Sequence, residues 1–247
     1  MSAALLEACE VTVRFGGLTA VDGVSAALHA GELVGIIGPN GAGKTTFFNA
    51  ISGVQPTSSG HLFAAGTELT GRLPQRFAAH GVARTFQTPR VFAGMTVRDN
   101  VRFGMAFAGR GREGAPGLGS EAEILAMLGL QGQADRLAAE VTPSQQRLLE
   151  IGMALGTRPR VLLLDEMAAG LTESEVEAMA QRIRRLRDEA GLAVVWIEHA
   201  VTTLLRYVER VLVLNQGRKI ADGTPAEVVR DAAVIEAYLG DEMAEQA

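Results

Sequence analysis

Lysine is almost missing from this chain: two are present, Lys44 and Lys219, and the other basic residues are arginines. A position that keeps one of them therefore stands out. There is one cysteine, Cys9, which excludes an internal disulfide, fits a reducing compartment and reads as a small core side chain. Positive charge is also short, with a formal net charge of -5, which argues against general affinity for nucleic acid or anionic lipid. Long hydrophobic runs are missing too. The longest are Leu33–Ile37, Val161–Leu164, Ala193–Ile197 and Val211–Leu214, far short of the ~20 residues that span a bilayer. The N-terminus, MSAALLEACE, lacks the basic and apolar regions of a signal peptide. The expectation is a soluble chain whose membrane role, if any, comes through partners. No His, Cys or carboxylate cluster has metal-ligand spacing, and no internal repeat is visible.

What is present is a core-forming α/β chain. Its 247 residues are 47% hydrophobic, enough for one sizeable core. Short, wholly apolar runs mark strands buried on both faces of a mostly parallel sheet. Leu6–His29 alternates polar and apolar residues around two glycine turns and reads as an antiparallel strand-and-turn region. After the strand Leu33–Ile37 a helix runs from Thr45 to about Ser52. A short helix is expected within 70–80 and a strand over Val82–Phe86. Residues 88–158 read as an inserted helical subdomain, with a surface loop at 110–120 and helices at Glu121–Leu128 and Pro143–Leu155. Then strands (161–165, 193–198, 211–215) alternate with helices (173–190, 200–208), the pattern of βαβ winding. Thr172-Glu173-Ser174-Glu175 is a capping box that opens the first of these helices. The basic stretch Arg182–Arg187 reads as a solvated helix face. The expected organisation is one domain over 1–247, with 1–87 and 159–247 as core and 88–158 as the helical part.

Gly38-Pro39-Asn40-Gly41-Ala42-Gly43-Lys44-Thr45-Thr46 matches G-x-x-x-x-G-K-[ST] at a strand-to-helix junction. Its glycines let the backbone curl so that successive N–H groups point at phosphate oxygens, and the helix N-terminus adds its positive dipole. Lys44 supplies a charge between the β- and γ-phosphates, and the Thr45 hydroxyl is a ligand for Mg²⁺. The alternative, a glycine-rich turn that binds nothing, has to place one of two lysines there by accident. Asp165 and Glu166 follow an apolar strand, at the carboxyl edge where parallel sheets hold ligands. Alternation puts them on different sides. Asp165 suits Mg²⁺, and Glu166 suits polarising the water that attacks the γ-phosphate. Taken alone, the pair also reads as acidic loop-start residues. His199 ends another apolar strand and is a candidate to position the water, whereas His29, His61 and His80 read as structural.

With these motifs in view, the chain resembles the ATP-binding cassette ATPases over essentially its whole length. The resemblance implies a Walker A motif at Gly38–Thr46 and an adenine-stacking ring at Phe15 in VTVRFGG. It implies a Q-loop glutamine at Gln87 in RTFQTPRVF, touching Mg²⁺ and the attacking water. Asp165 and Glu166 stand at Walker B and the catalytic glutamate, and His199 at the switch histidine. Within that family the chain is similar to the G-type ATPase of branched-chain amino acid importers, through RFGGLTAVDGVS, ARTFQTPRVF, QQRLLEIGMALGTRP, LLLDEMAAGL, WIEHAV and GRKIADGTPAEVVRDAAVIEAYLGD. That similarity implies MgATP, a second ATPase subunit, two permeases, an extracytoplasmic solute-binding protein, and a peripheral place on the inner membrane face.

The signature segment departs from the family's L-S-G-G-Q. Here it is Val141-Thr142-Pro143-Ser144-Gln145, and Pro143 has no N–H to offer. Thr142-x-x-Gln145 is nonetheless a capping box with proline at the first helical position. Thr142, Ser144 and Gln145 are therefore expected to make a weakened contact with a nucleotide held by the partner subunit. Met167 replaces the proline after Walker B, and Thr172 replaces an acidic D-loop residue. The same motifs fit an exporter-type ATPase such as that of lipopolysaccharide transport, or a regulatory subunit that binds ATP and scarcely turns over. A DNA-repair ATPase would need a coiled-coil insertion, and no heptad run exists. Related importers carry urea, other amides and aromatic acids.

Overall fold

A computed structural model describes residues 3–108, 117–198 and 200–244, with the backbone alone for 239–244. The expected loop at 110–120 falls largely outside these residues, and His199 falls wholly outside them.

Two sheets form. Strands β1 (Leu6–Phe15) and β2 (Leu18–Leu28) pair antiparallel across Gly16-Gly17. They continue into β4 (Ser59–Ala64) and β5 (Thr67–Glu68) in the order β2-β1-β4-β5. The second sheet contains β3 (Leu33–Ile37), β6 (Val82–Arg84), β7 (Val161–Asp165), β8 (Ala193–Ile197), β9 (Arg210–Asn215) and β10 (Arg218–Gly223). Its order is β10-β9-β3-β8-β7-β6, parallel except for β10 on β9.

Every residue of β3, β7 and β8 is buried, because layers cover both faces of this sheet. The period of two divides each strand between two cores. Leu33, Ile37, Leu162, Leu164, Val194 and Trp196 face the helices of residues 97–190. Val34, Ile36, Leu163, Val195 and Ile197 face α1 (Lys44–Ile51) and the antiparallel sheet.

The remaining helices are α2 (Pro74–Ala79), α3 (Val97–Ala106), α4 (Glu121–Met127), α5 (Pro143–Gly156), α6 (Glu173–Ala190), α7 (Val201–Leu205), α8 (Pro225–Val228) and α9 (Ala232–Ala244). Ser120–Glu123, Thr142–Gln145, Thr172–Glu175 and Thr224–Glu227 are complete capping boxes that open α4, α5, α6 and α8. Among the described residues no helix is long and apolar enough to cross a membrane.

The structure corrects the sequence reading in places. Strands β4, β5 and β10 and helices α3 and α8 were not expected. Strand β10 (RKIADG) is a polar edge strand, so it carries no apolar run to announce it. Helix α7 ends at Leu205, short of 208. The arginines of α6 are not simply a solvated face. Arg184 donates to the carbonyls of Tyr207 and Arg206 at 3.2 and 3.1 Å, and Arg187 is mostly buried and ion-paired to Asp188 and Glu209. These side chains tie α6 to the connection between α7 and β9. Cys9 is half-buried on β1 beside Glu7 instead of lying in the core.

Candidate nucleotide site

The loop after β3 is held by close backbone packing. A Cβ on Gly38 would lie 2.1 Å from the Leu214 carbonyl oxygen, and one on Gly43 would lie 2.3 Å from that of Ala20. Gly43 has φ +96 and is the N-cap of α1, so it brings no capping side chain. The first turn of α1 therefore opens without a side-chain cap, the arrangement by which a helix start presents its dipole to an anion. Lys44 Nζ donates to the carbonyls of Gly38 and Pro39 at 2.7 and 2.9 Å, which keeps the ammonium inside the curl of the loop. Thr45, Asn40 and Gly41 are exposed, while Pro39 and Ala42 are buried. Ala42 accepts from the Gly217 N–H at 3.0 Å, so the β9–β10 turn supports the loop from below.

Phe15 ends β1 and is 49% exposed. It pairs with Leu18, two residues before the Ala20 carbonyl that abuts Gly43. The hairpin tip thus presents an exposed ring beside the loop.

Sheet register puts the acidic pair at the same edge. Asp165 is level with Ile197, and Ile197 with Ile36. With neighbouring strands about 4.8 Å apart, the Asp165 backbone stands about 10 Å from β3. Asp165 and Glu166 have different partners. Asp165 Oδ2 accepts from Arg84 Nη2 at 3.0 Å. Glu166 Oε2 accepts from Gln87 Nε2 in a short hydrogen bond. Glu166 has φ +47, an uncommon conformation for a side-chain-bearing residue and one that clusters at functional sites. Its N–H is fixed on the Ile197 carbonyl at 3.0 Å.

Four residues that the sequence reading left without a role support this edge. Arg84 Nη1 donates to Asn49 Oδ1 at 2.8 Å and to Ser52 Oγ at 3.0 Å, so one guanidinium joins α1 to Asp165. Burial draws Arg84 below its ordinary value, and the Asp165 carboxylate opposes that pull. Arg147 donates to the carbonyls of Glu166 and Ala169 at 2.9 and 2.6 Å. Glu198 Oε1 accepts from the Ala168 N–H at 2.7 Å and from Trp196 Nε1 at 2.9 Å; burial pushes its carboxyl up. Glu150 on α5 accepts from the Arg90 N–H at 3.0 Å. An arginine or glutamate inside an apolar stretch carries no spacing signal, so nothing in the sequence singled these out.

The signature segment caps itself. Thr142 Oγ1 accepts from the Gln145 N–H, and Gln145 Oε1 accepts from the Thr142 N–H at 3.0 Å. Ser144 Oγ lies 3.0 Å from Thr142 Oγ1. Met167 is buried, and its sulfur accepts from Thr85 Oγ1.

The residues present suit a hard divalent cation: a hydroxyl on Thr45 at the helix start and a carboxylate on Asp165 at the strand end supply oxygen ligands.

Comparison with known proteins agrees with this geometry. Residues 21–169 match the ABC transporter family, and residues 218–244 match the branched-chain amino acid ATP-binding cassette transporter family. The chain is 37% identical to the high-affinity branched-chain amino acid transport ATP-binding protein BraF of Pseudomonas aeruginosa, over 98% of this chain and 100% of that one. It is also 37% identical to the corresponding protein LivG of Escherichia coli K12, with the same coverage. An ATP-binding cassette of an ABC transporter in its ADP conformation superposes with a TM-score of 0.85 at 30% identity, covering 97% of this chain and 100% of that one. On these grounds the chain belongs to the ABC transporter family and has the fold of its ATP-binding cassettes.

Proposed function

We propose that this chain binds ATP in the loop Gly38–Thr46 and hydrolyses it to drive import of branched-chain or related amino acids through separate membrane subunits. The observation that carries the reading is the shared edge: the phosphate loop, Asp165 and the Gln87–Glu166 pair meet at the carboxyl ends of one parallel sheet. Loop amides and Lys44 grip the phosphates, and Phe15 stacks on the base. Glu166 accepts a proton from the attacking water, Gln87 orients that water, and His199 assists. Thr45, Asp165 and Gln87 would hold Mg²⁺, which when bound neutralises phosphate charge.

The proposed partners are a second ATPase subunit, two permeases and a solute-binding protein, with this chain peripheral on the inner membrane face. Residues 88–158 form the proposed helical subdomain. Beside the glutamine loop, Phe92, Phe103 and Phe107 are exposed, with ring centroids 4.5 and 5.1 Å apart along the series. Exposed aromatics in contact suit a permease helix. Thr142, Ser144 and Gln145 face the partner's nucleotide, but their cap bonds occupy groups that would otherwise reach it. That same observation favours a second reading, a regulatory subunit that binds ATP with little turnover.

The test is ATPase activity in the complex assembled with its permeases. Lys44→Ala and Glu166→Gln are each expected to lower kcat by at least about a hundredfold. A rate left unchanged by both would refute the catalytic assignment. Tight ATP binding by calorimetry beside negligible turnover in the full complex would select the regulatory reading.

A further inference from the structure

One buried carboxylate lies outside the proposed chemistry yet touches the loop that serves it. Glu150, in the second turn of α5, is 5% exposed. Its Oε1 accepts the Arg90 N–H at 3.0 Å. Arg90 lies three residues beyond Gln87. The stretch 86–90 is neither helix nor strand, so it has no ladder to hold it and depends on outside acceptors. Buried carboxylates are costly, and bonds from backbone amides to an ionised carboxylate are stronger than neutral ones.

The surroundings point the same way. The Arg90 guanidinium lies 4.0 Å over the Phe86 ring, and that of Arg84 lies 5.0 Å from it. Arg84 in turn pairs with Asp165. Three residues later, Gln87 reaches Glu166. The α5 helix that carries Glu150 begins at the signature segment and, through Arg147, also holds the Glu166 carbonyl. Helix α5 therefore holds Glu166 and the loop that carries Gln87.

We infer that Glu150 is a positioning residue for hydrolysis: by holding the Arg90 amide, three residues beyond Gln87, it fixes that glutamine on Glu166 and makes the glutamine loop move with the signature helix. The inference rests on Gln87 and Glu166 serving the reaction as proposed above. It predicts a side chain that acts on turnover without touching nucleotide.

A double-mutant cycle in the assembled transporter tests it, with Glu150→Leu and Glu150→Gln made alone and with Gln87→Ala. Glu150→Leu is expected to lower kcat roughly tenfold while KM for ATP moves less than about twofold, the mark of misplacement without lost binding. Glu150→Gln keeps one acceptor oxygen and is expected to restore most of the rate. With Gln87→Ala present, Glu150→Leu should cost little more, because both changes remove one contact. An equal loss with and without Gln87 overturns the inference while leaving the site reading intact. A Gln87→Ala enzyme with unchanged rate removes the site reading, and this inference with it. Should Glu150→Leu fail to fold, hydrogen exchange of the smaller truncation Glu150→Ala decides. Faster exchange confined to residues 86–92 supports the role, and exchange equal to the parent protein overturns it.

Discussion

Arg84 joins three elements through one guanidinium: Asn49 on α1 with Ser52 at its C-cap, Asp165 on β7, and its own strand β6. Its side chain is 13% exposed and that of Asp165 is 9% exposed. Truncating one member of a buried pair leaves the other charge unpaired, at a cost of roughly 3–5 kcal/mol. Arg84→Ala should therefore lose about that much stability in urea unfolding. Glu150 gives a pH signature of opposite origin. Burial raises its carboxyl from 4.5 to about 7, so ionising it opposes folding. The native state binds the proton more tightly than the unfolded chain, so its contribution is greatest below 4.5, declines as pH rises, and is flat above about 7. The difference between Glu150→Gln and the parent protein in unfolding free energy should grow across that window and level off above it. A difference independent of pH would contradict the assignment.

At the scale of elements, the loop between β3 and α1 depends on backbone approaching backbone. Neither carbonyl facing Gly38 or Gly43 is the end of a flexible side chain. Gly38→Ala and Gly43→Ala add a backbone clash to the strain of positive φ, so each should destabilise by about 2–5 kcal/mol and abolish nucleotide binding measured by calorimetry. Gly41 also has positive φ, but a Cβ there meets nothing within 4 Å. Gly41→Ala should cost only the roughly 1–2 kcal/mol of a left-handed residue. Equal effects at all three positions would refute the steric account. The helices were more legible than the loops because their signals are local: the Thr142 and Thr172 boxes state where α5 and α6 begin. The Thr96–Asp99 cap of α3 carries a comparable signal, but Gly and Arg around it masked the helix.

For the whole molecule, nucleotide binding couples to folding. At a hundred times its dissociation constant, ATP should add about 2.7 kcal/mol of stability, which for a chain of this size is roughly 5–10 °C in Tm. Lys44→Ala should abolish that shift in calorimetry while leaving the nucleotide-free Tm almost unchanged. A shift that survives the substitution would place the nucleotide elsewhere.

The sequence by itself determined the local pieces: the strand-to-helix bend at residues 38–46, the apolar strands buried on both faces, and the capped helix starts. These depend on neighbours a few residues apart, through backbone period, glycine conformations and cap hydrogen bonds. Only the tertiary structure decided that Gln87 meets Glu166 and Arg84 meets Asp165, contacts separated by 79 and 81 residues. They exist because β6 lies beside β7 at the end of the order β3-β8-β7-β6. No pattern within residues 82–90 announces that neighbour, since strand order is set by how buried faces pack and not by the strand's own residues.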